Sequence, residues 1–388
     1  MSPTSKKEHL AIIAQRYRKA TREKKTKILD EFCANFCYNR KYAIRRIQAF
    51  LRPKKKDARH SPGPRPRYQD PAVLKTLQEI WLAAHMPCSK RLKASLPLWI
   101  PSYQAQSSSL NSACLQQLAT ISPATIDRLL KSFRLYHTGK GRSATKPGLL
   151  LKHHIPIQTC RWDETRPGFL EADTVAHCGD SLAGSFVYTV DITDLATGWT
   201  EQRAVWGKGE KDVLDQLKDI EAALPFPLLG FDCDNGSEFL NWHIVHHFQE
   251  RKSPVAFTRS RPYKKDDNAH IEQKNWTQVR QWLGYQRFDN PDLVPLLNDL
   301  YTSQWRLLLN FFLPSTKLLK KERVGSKIVK KHDVPKTPYH RLLESDAISS
   351  KNKAQLKNLF QTLNPFILRK TIDIKIAKIR QLARLPQL

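Results

Sequence analysis

Between about residues 165 and 290 the sequence carries three strand-like runs in succession and only then alternates strands with helices. That order restricts the folds open to the chain. The runs GFLEADTV (168–175), SFVYTVDIT (185–193) and GWTEQRAVW (198–206) are rich in β-branched and aromatic residues, and Asp194 and Gly198 mark the loop joining the second to the third. Strands joined by so few residues pair antiparallel, because a parallel return needs a crossover of roughly a dozen residues or more.

The next segment, GEKDVLDQLKDIEAAL (209–224), spaces Val213, Leu214, Leu217, Ile220 and Leu224 on one helical face. It is followed by a strand in LLGFDCD (228–234), a helix in GSEFLNWHIVHHFQE (236–250), a strand in PVAFTRS (254–260) and a helix in NAHIEQKNWTQVRQWL (268–283). Strands separated by helices run parallel to their neighbours through right-handed crossovers. The expectation is a mixed five-stranded α/β sheet with helices on both faces.

The flanks are helical. KKTKILDEFCANF (24–36) puts Ile28, Leu29, Phe32 and Phe36 on one face, and NRKYAIRRIQAFL (39–51) follows with Asn39 placed to cap it. Two helices across a short turn suggest a helix-turn-helix module over 1–51, whose second helix would present Arg40, Lys41, Arg45 and Arg46 to a DNA groove or its phosphates. The basic, proline-bearing stretch RPKKKDARHSPGPRPR (52–67) reads as a linker. A second helical, helix-turn-helix-like module is expected over 68–137. It ends in SPATIDRLLKSFRLY, with Ser122 as cap, Pro123 in the first turn, and Ile126, Leu129, Leu130 and Phe133 as an apolar stripe. A linker over 138–164 leads into the sheet region, and 291–388 is a basic, mostly helical region. There KERVGSKIVKKHD (321–333) has the pattern of a hairpin around Gly325, and Phe366, Ile372, Ile376 and Ile379 recur near helical period.

A formal charge of +29, from 65 Lys and Arg against 36 Asp and Glu, predicts attraction to a polyanion, with nucleic acid the first candidate. No run of about 18 apolar residues and no signal-peptide pattern is present, so a soluble, cytoplasmic protein is expected. Seven scattered cysteines argue against a disulfide framework, and Cys33 and Cys37 lack the second ligand pair that structural zinc needs. The segments HTGKGRSATKPG (137–148) and WGKGEKD (206–212) lack the GxxxxGK[ST] spacing of a phosphate-binding loop.

In the sheet region, carboxylates stand at positions where packing gains nothing from them: Asp173 in the first strand, Asp232 and Asp234 at the end of the fourth, and Glu272 in the last helix. A parallel pair formed by strands one and four brings Asp173 beside Asp234, and a right-handed crossover returns the Glu272 helix to that edge. Three carboxylates held together repel one another unless cations neutralise them. Oxygen ligands without thiolates or clustered histidines favour two Mg²⁺ or Mn²⁺ ions over zinc. Such a pair suits in-line attack at a phosphodiester. Lys264, Lys265, Lys274 and Arg280 lie close in sequence to hold a DNA backbone, and a solvated helix face is an equal reading for Lys274 and Arg280. Asp232, one pleat deeper than Asp234, reads as a hydrogen-bonded support, and the helix expected to start near Ser237 would aim its positive end at Asp234.

The segments EADTV (171–175), DNGSEF (234–239) and RPYKKDDNAHIEQKN (261–275) resemble the three motifs of the DDE integrase and transposase superfamily, whose catalytic domain has the RNase H-like fold. The similarity is greatest to bacterial insertion-sequence transposases with an integrase catalytic core, and it covers about 165–290. It implies Asp173, Asp234 and Glu272 as catalytic metal ligands, with Asn235, Glu238 and Asn268 as auxiliary groups beside Asp232. It further implies DNA strand cleavage and transfer with Mg²⁺ or Mn²⁺, double-stranded DNA (element ends and target) as partner, and a homo-oligomer on DNA within the bacterial nucleoid. Two other functions fit the same residues: a DNA-binding regulator without activity, and an RNase H-like nuclease that only hydrolyses.

Overall fold

The computed structural model describes residues 3–52, 68, 70–106, 110–137, 165–233, 238, 239, 241–259, 271, 274–324 and 327–384. The chain divides into two compact units, Met1–Arg67 and Tyr68–Leu388.

The first unit contains three helices, α1 (Pro3–Lys19), α2 (Arg22–Phe36) and α3 (Arg40–Leu51). Its core joins Leu10, Ile13 and Ala14 to Ile28, Leu29, Phe32, Ala43 and Ile47. The sequence reading found α2 and α3 and missed α1, although Leu10, Ile13, Ala14 and Tyr17 repeat at helical spacing. Helix α2 ends where Cys37 takes a left-handed conformation (φ 53°), and the Asn39 side chain then accepts the Lys41 amide hydrogen at 3.0 Å to open α3. Arg40, Lys41, Arg45 and Arg46 lie on the exposed face of α3, and Arg40 is paired with Asp30 of α2.

The second unit begins with α4 (Pro71–Ala83), α5 (Ser89–Gln106), α6 (Ser112–Thr120) and α7 (Pro123–His137). Ser122 caps α7, its hydroxyl accepting the Thr125 amide at 3.2 Å. The strands are β1 (Phe169–Ala176), β2 (Val187–Asp194), β3 (Thr200–Trp206), β4 (Gly230–Cys233) and β5 (Ala256–Arg259), in the order β3-β2-β1-β4-β5. The β1–β2 and β2–β3 pairs are antiparallel; β1–β4 and β4–β5 are parallel. This is the mixed five-stranded sheet that the strand and helix order predicts. Helices α8 (Glu210–Ala223) and α9 (Trp242–Gln249) lie between β3 and β5 in sequence. Helix α10 is π-wound over Asn275–Arg280 and continues as Gln281–Leu283.

The C-terminal region opens with α11, built from Leu293–Leu300, a π-wound turn Tyr301–Trp305, and Arg306–Phe312. A hairpin of β6 (Leu318–Val324) and β7 (Lys327–His332) follows, then α12 (Pro338–Glu344), α13 (Ser350–Thr362) and α14 (Pro365–Leu382). Ile372, Ile376 and Ile379 are buried, as their spacing predicts.

One core runs from Val73 to Ile379, so the expected segments 68–137, 165–290 and 291–388 all contribute to it. Trp99 of α5 shows the connection: it is fully buried, donates its indole N–H to the Phe312 carbonyl at 3.1 Å, and meets the Phe312 and Phe366 rings edge-on. The start of β1 requires glycine. Gly168 has φ +118°, and a Cβ there would lie 2.5 Å from the Pro227 carbonyl oxygen. Its own carbonyl accepts from Leu229 and Gly230, aligning β1 with β4.

Candidate functional site

In a strand, alternate side chains share a face, and directly paired residues on neighbouring strands do too. The registers Glu171↔Asp232, Glu171↔Thr193, Asp173↔Asp191, Asp191↔Gln202 and Asp232↔Thr258 therefore place Glu171, Asp173, Asp191, Thr193, Gln202, Asp232 and Thr258 on one face of the sheet. This face is polar yet largely covered, and Ile271, ahead of α10, and Asn275, its first residue, hydrogen-bond to it. Ile271 donates its backbone N–H to Glu171 Oε2 at 3.1 Å, and Asn275 Nδ2 donates to Asp173 Oδ2 at 2.6 Å. Asp173 Oδ1 accepts the Thr174 amide at 2.7 Å.

Asp191, fully buried, is the cross-strand partner of Asp173. Burial pushes its carboxyl up to about 7; the Gln202 hydrogen bond and the Lys274 ammonium act in the other direction, and the Asp173 charge adds to the rise. Its Oδ1 accepts from Gln202 Nε2 at 2.7 Å. Asp191 Oδ2, Gln202 Oε1 and Asn275 Oδ1 are buried without a hydrogen-bond partner among the described residues. All three are hard oxygen acceptors beside a carboxylate pair. A surplus of acceptors calls for protons, water or a hard cation, so the donor chemistry fits Mg²⁺ or Mn²⁺ and not a soft metal.

Asp232 is buried and accepts the Thr258 hydroxyl at 2.6 Å, which suits the supporting role read from sequence. Glu238 is also buried. It takes the Lys208 ammonium and accepts the Thr174 hydroxyl at 2.9 Å. Burial works to raise its carboxyl, but these partners hold it below the ordinary carboxylate value. Because Thr174 alternates with Asp173 on β1, Glu238 is tied to the opposite face of the sheet. Asp234, Asn235, Lys264, Lys265, Asn268 and Glu272 lie outside the described residues. Among the described residues no three His, Cys, Asp or Glu side chains are arranged to hold a metal ion.

Three sequence expectations need correction. Helix α9 begins at Trp242, with the Asn241 side chain accepting the Ile244 amide at 3.1 Å, and not near Ser237. Asn241 makes the capping hydrogen bond, and Glu238 and Phe239 before it are buried. Helix α9 therefore does not start where the helix-dipole argument for Asp234 requires. Lys274 is not on a solvated helix face: it is half-buried, its Nζ lies 3.4 Å from the Gly198 carbonyl, and burial pushes it down to about 8. Arg280 is likewise engaged, donating to the Ala176 carbonyl at 2.6 Å and stacking on Tyr285. Sequence reasoning also missed Glu171, Asp191, Gln202 and Asn275. The available signal was a carboxylate in mid-strand at Asp191, the same signal that drew attention to Asp173.

The fold and site define a class: a mixed α/β domain with a carboxylate on its central strand, opposite a buried aspartate and bridged to the helix that follows β5. No family model matches the chain. It is 37% identical over 343 residues to the uncharacterized protein y4rM of Sinorhizobium fredii (strain NBRC 101917 / NGR234), an alignment covering 88% of this chain and 96% of that protein, and the chain belongs to the same family as y4rM. Among solved structures, it resembles the catalytic core domain of BIV integrase (TM-score 0.28, 16% identity, 46% of this chain and 95% of that one). It also resembles a chain of the simian T-cell lymphotropic virus intasome in complex with PP2A regulatory subunit B56 gamma (TM-score 0.32, 14% identity, 54% of this chain and 68% of that one). Both likenesses are partial, and strand order and register define the sheet independently of them.

Proposed function

We propose that the protein is a DDE-type DNA transposase that binds element ends and performs metal-dependent strand cleavage and strand transfer. The observation that carries this reading is the β1–β4 register. Ala172 pairs with Cys233, the last described residue of β4, and the next residues in the two sequences are Asp173 and Asp234. Support for Glu272 comes from its sequence neighbours, since Ile271 and Asn275 bond to Glu171 and Asp173 of the same strand.

In this reading Asp173, Asp234 and Glu272 would hold the divalent ions, which when bound ease deprotonation of the attacking oxygen and stabilise the leaving one. Asn275 fixes the Asp173 carboxylate by donating to one oxygen, and the Thr174 amide fixes the other. Asp191 and Gln202 form the floor behind Asp173, and Glu171 anchors the backbone at Ile271. Exposed Lys41, Arg45 and Arg46 on α3 would contact DNA phosphates, with α2 and α3 serving as a helix-turn-helix. Joining two ends would require a second copy of the chain on DNA.

The test is a strand-transfer assay with labelled duplexes taken from the DNA bordering the reading frame, in Mg²⁺ or Mn²⁺. It compares the native protein with Asp173→Asn and Asp234→Asn. Joined products from the native protein alone, with duplex binding kept in both variants, are expected. Cleavage without joining would replace the proposal with a nuclease, binding without cleavage with a regulator, and full activity of either variant would refute the site.

A further inference from the structure

A second polar site lies at the β2–β3 turn. A cavity of about 110 Å³ is lined there by Arg91 of α5, Lys274 of the α10 segment, and Ser315, Thr316 and Lys317 after α11, with Asp194 as its carboxylate. Three cations thus face one acid. Asp194 is already engaged: it accepts the Gly168 amide at 2.8 Å, the Thr197 amide at 2.7 Å and the Thr197 hydroxyl at 2.6 Å. Asp333, which borders Lys317, is paired with Arg341 at 2.8 Å and also accepts the Lys317 amide at 2.6 Å. Among the described residues Arg91, Lys274 and Lys317 form no ion pair, and each contacts a carbonyl instead, of Pro314, Gly198 and Ala196 respectively.

Backbone carbonyls satisfy donors but do not cancel charge. Three half-buried cations drawn from separate stretches of sequence repel one another in a setting that screens poorly; Asp191 attracts Lys274, and Asp194 and Asp333 attract Lys317, but Asp194 and Asp333 are shared with other donors and Arg91 has no carboxylate of its own among the described residues, so an added anion is favoured here. Gly198 locates the cluster: a Cβ built there would lie 3.8 Å from Lys274 Nζ and 3.6 Å from Ser315 Oγ, so the ammonium and the hydroxyl flank the same point. Guanidinium, two ammoniums and hydroxyl donors around one small volume match a tetrahedral oxyanion better than a planar carboxylate, since donors converge from several directions.

We propose that this cavity seats one phosphate group. Its source is either a backbone phosphodiester of bound nucleic acid or a free inorganic phosphate. The nucleic-acid source rests on the transposase reading, whereas the seat itself does not.

Two measurements on the full-length protein test it. Thermal unfolding is followed while inorganic phosphate replaces chloride or acetate at constant ionic strength, for the native protein and for Arg91→Gln, Lys274→Met and Lys317→Gln. The native midpoint should rise with phosphate and not with acetate, and each variant should lose that rise. Duplex binding is then measured between about 50 and about 200 mM salt. A seated backbone phosphate should make the native protein lose about 3.5-fold more affinity over that range than Lys274→Met, the weight of one contact, and duplex should abolish the response to free phosphate. A phosphate response that persists with duplex bound, together with equal salt dependence, assigns the seat to the free anion. No phosphate response with equal salt dependence, or a response retained in all three variants, overturns the proposal.

Discussion

His177 follows directly on β1 and is completely buried. Its Nε2 lies 2.8 Å from the Thr189 hydroxyl, which in turn meets the Tyr301 hydroxyl at 2.8 Å, and its ring stacks on Phe288 at 4.7 Å. Burial, with a smaller contribution from the Arg280 charge, depresses it to about 3. Between that value and the ordinary histidine value near 6.5, the unfolded chain binds one proton that the folded chain refuses. Stability therefore rises with pH across this window and is lost as pH falls. The slope for one proton is about 1.4 kcal/mol per pH unit, so acidification from about 6.5 to about 5 should remove about 2 kcal/mol through this residue alone. His177→Phe keeps a ring against Phe288 and removes the titration, at a cost of about 1 kcal/mol for the lost hydrogen bond at neutral pH. Urea unfolding at several pH values should show the variant less stable than the native protein at about pH 7.5, and the order reversed near pH 5. Acid limbs that run parallel for the two proteins would refute the reasoning, since the proton would then be bound at some other group.

Two further outcomes follow from the same geometry. Glu201, buried, holds both Arg203 and Arg306, so Glu201→Gln should cost about 3 kcal/mol in denaturant unfolding by leaving Arg306 without its carboxylate, while Arg203 keeps Asp219. Asn275→Ala should lower stability by only about 1 kcal/mol, but it frees Asp173 Oδ2 from its donor and should reduce strand transfer while duplex binding is unchanged.

Within 165–290 the strand order was legible because three strands arrive before the first helix of that region, and the length of the connections then decides which pairs are antiparallel. The polar face of the sheet was harder to read. Asp191 and Gln202 sit where an alternating strand places solvent-facing residues, and the sequence does not reveal that α10 folds back over them. The start of α9 was misplaced because Ser237 and Asn241 are both competent caps, and the burial of Phe239 between them, which decides the matter, is a tertiary effect. Lys274 read as an outward charge for the same reason: the Gly198 carbonyl and Asp191 that it meets are distant in sequence.

The contact between Trp99 and Phe312 has a consequence for synthesis. The two residues are 213 positions apart, and at about 5–20 residues per second a ribosome needs about 10–40 s to pass from one to the other. During that interval α5 is made but its indole has no carbonyl to meet, and the Phe366 ring arrives later still. The three-helix N-terminal unit has its whole core in hand after Ile47 and can fold at once. The second unit must hold its first helices in waiting until its last ones are translated, so conditions that slow elongation should lengthen the exposure of Trp99 and its neighbours to chaperones or to aggregation.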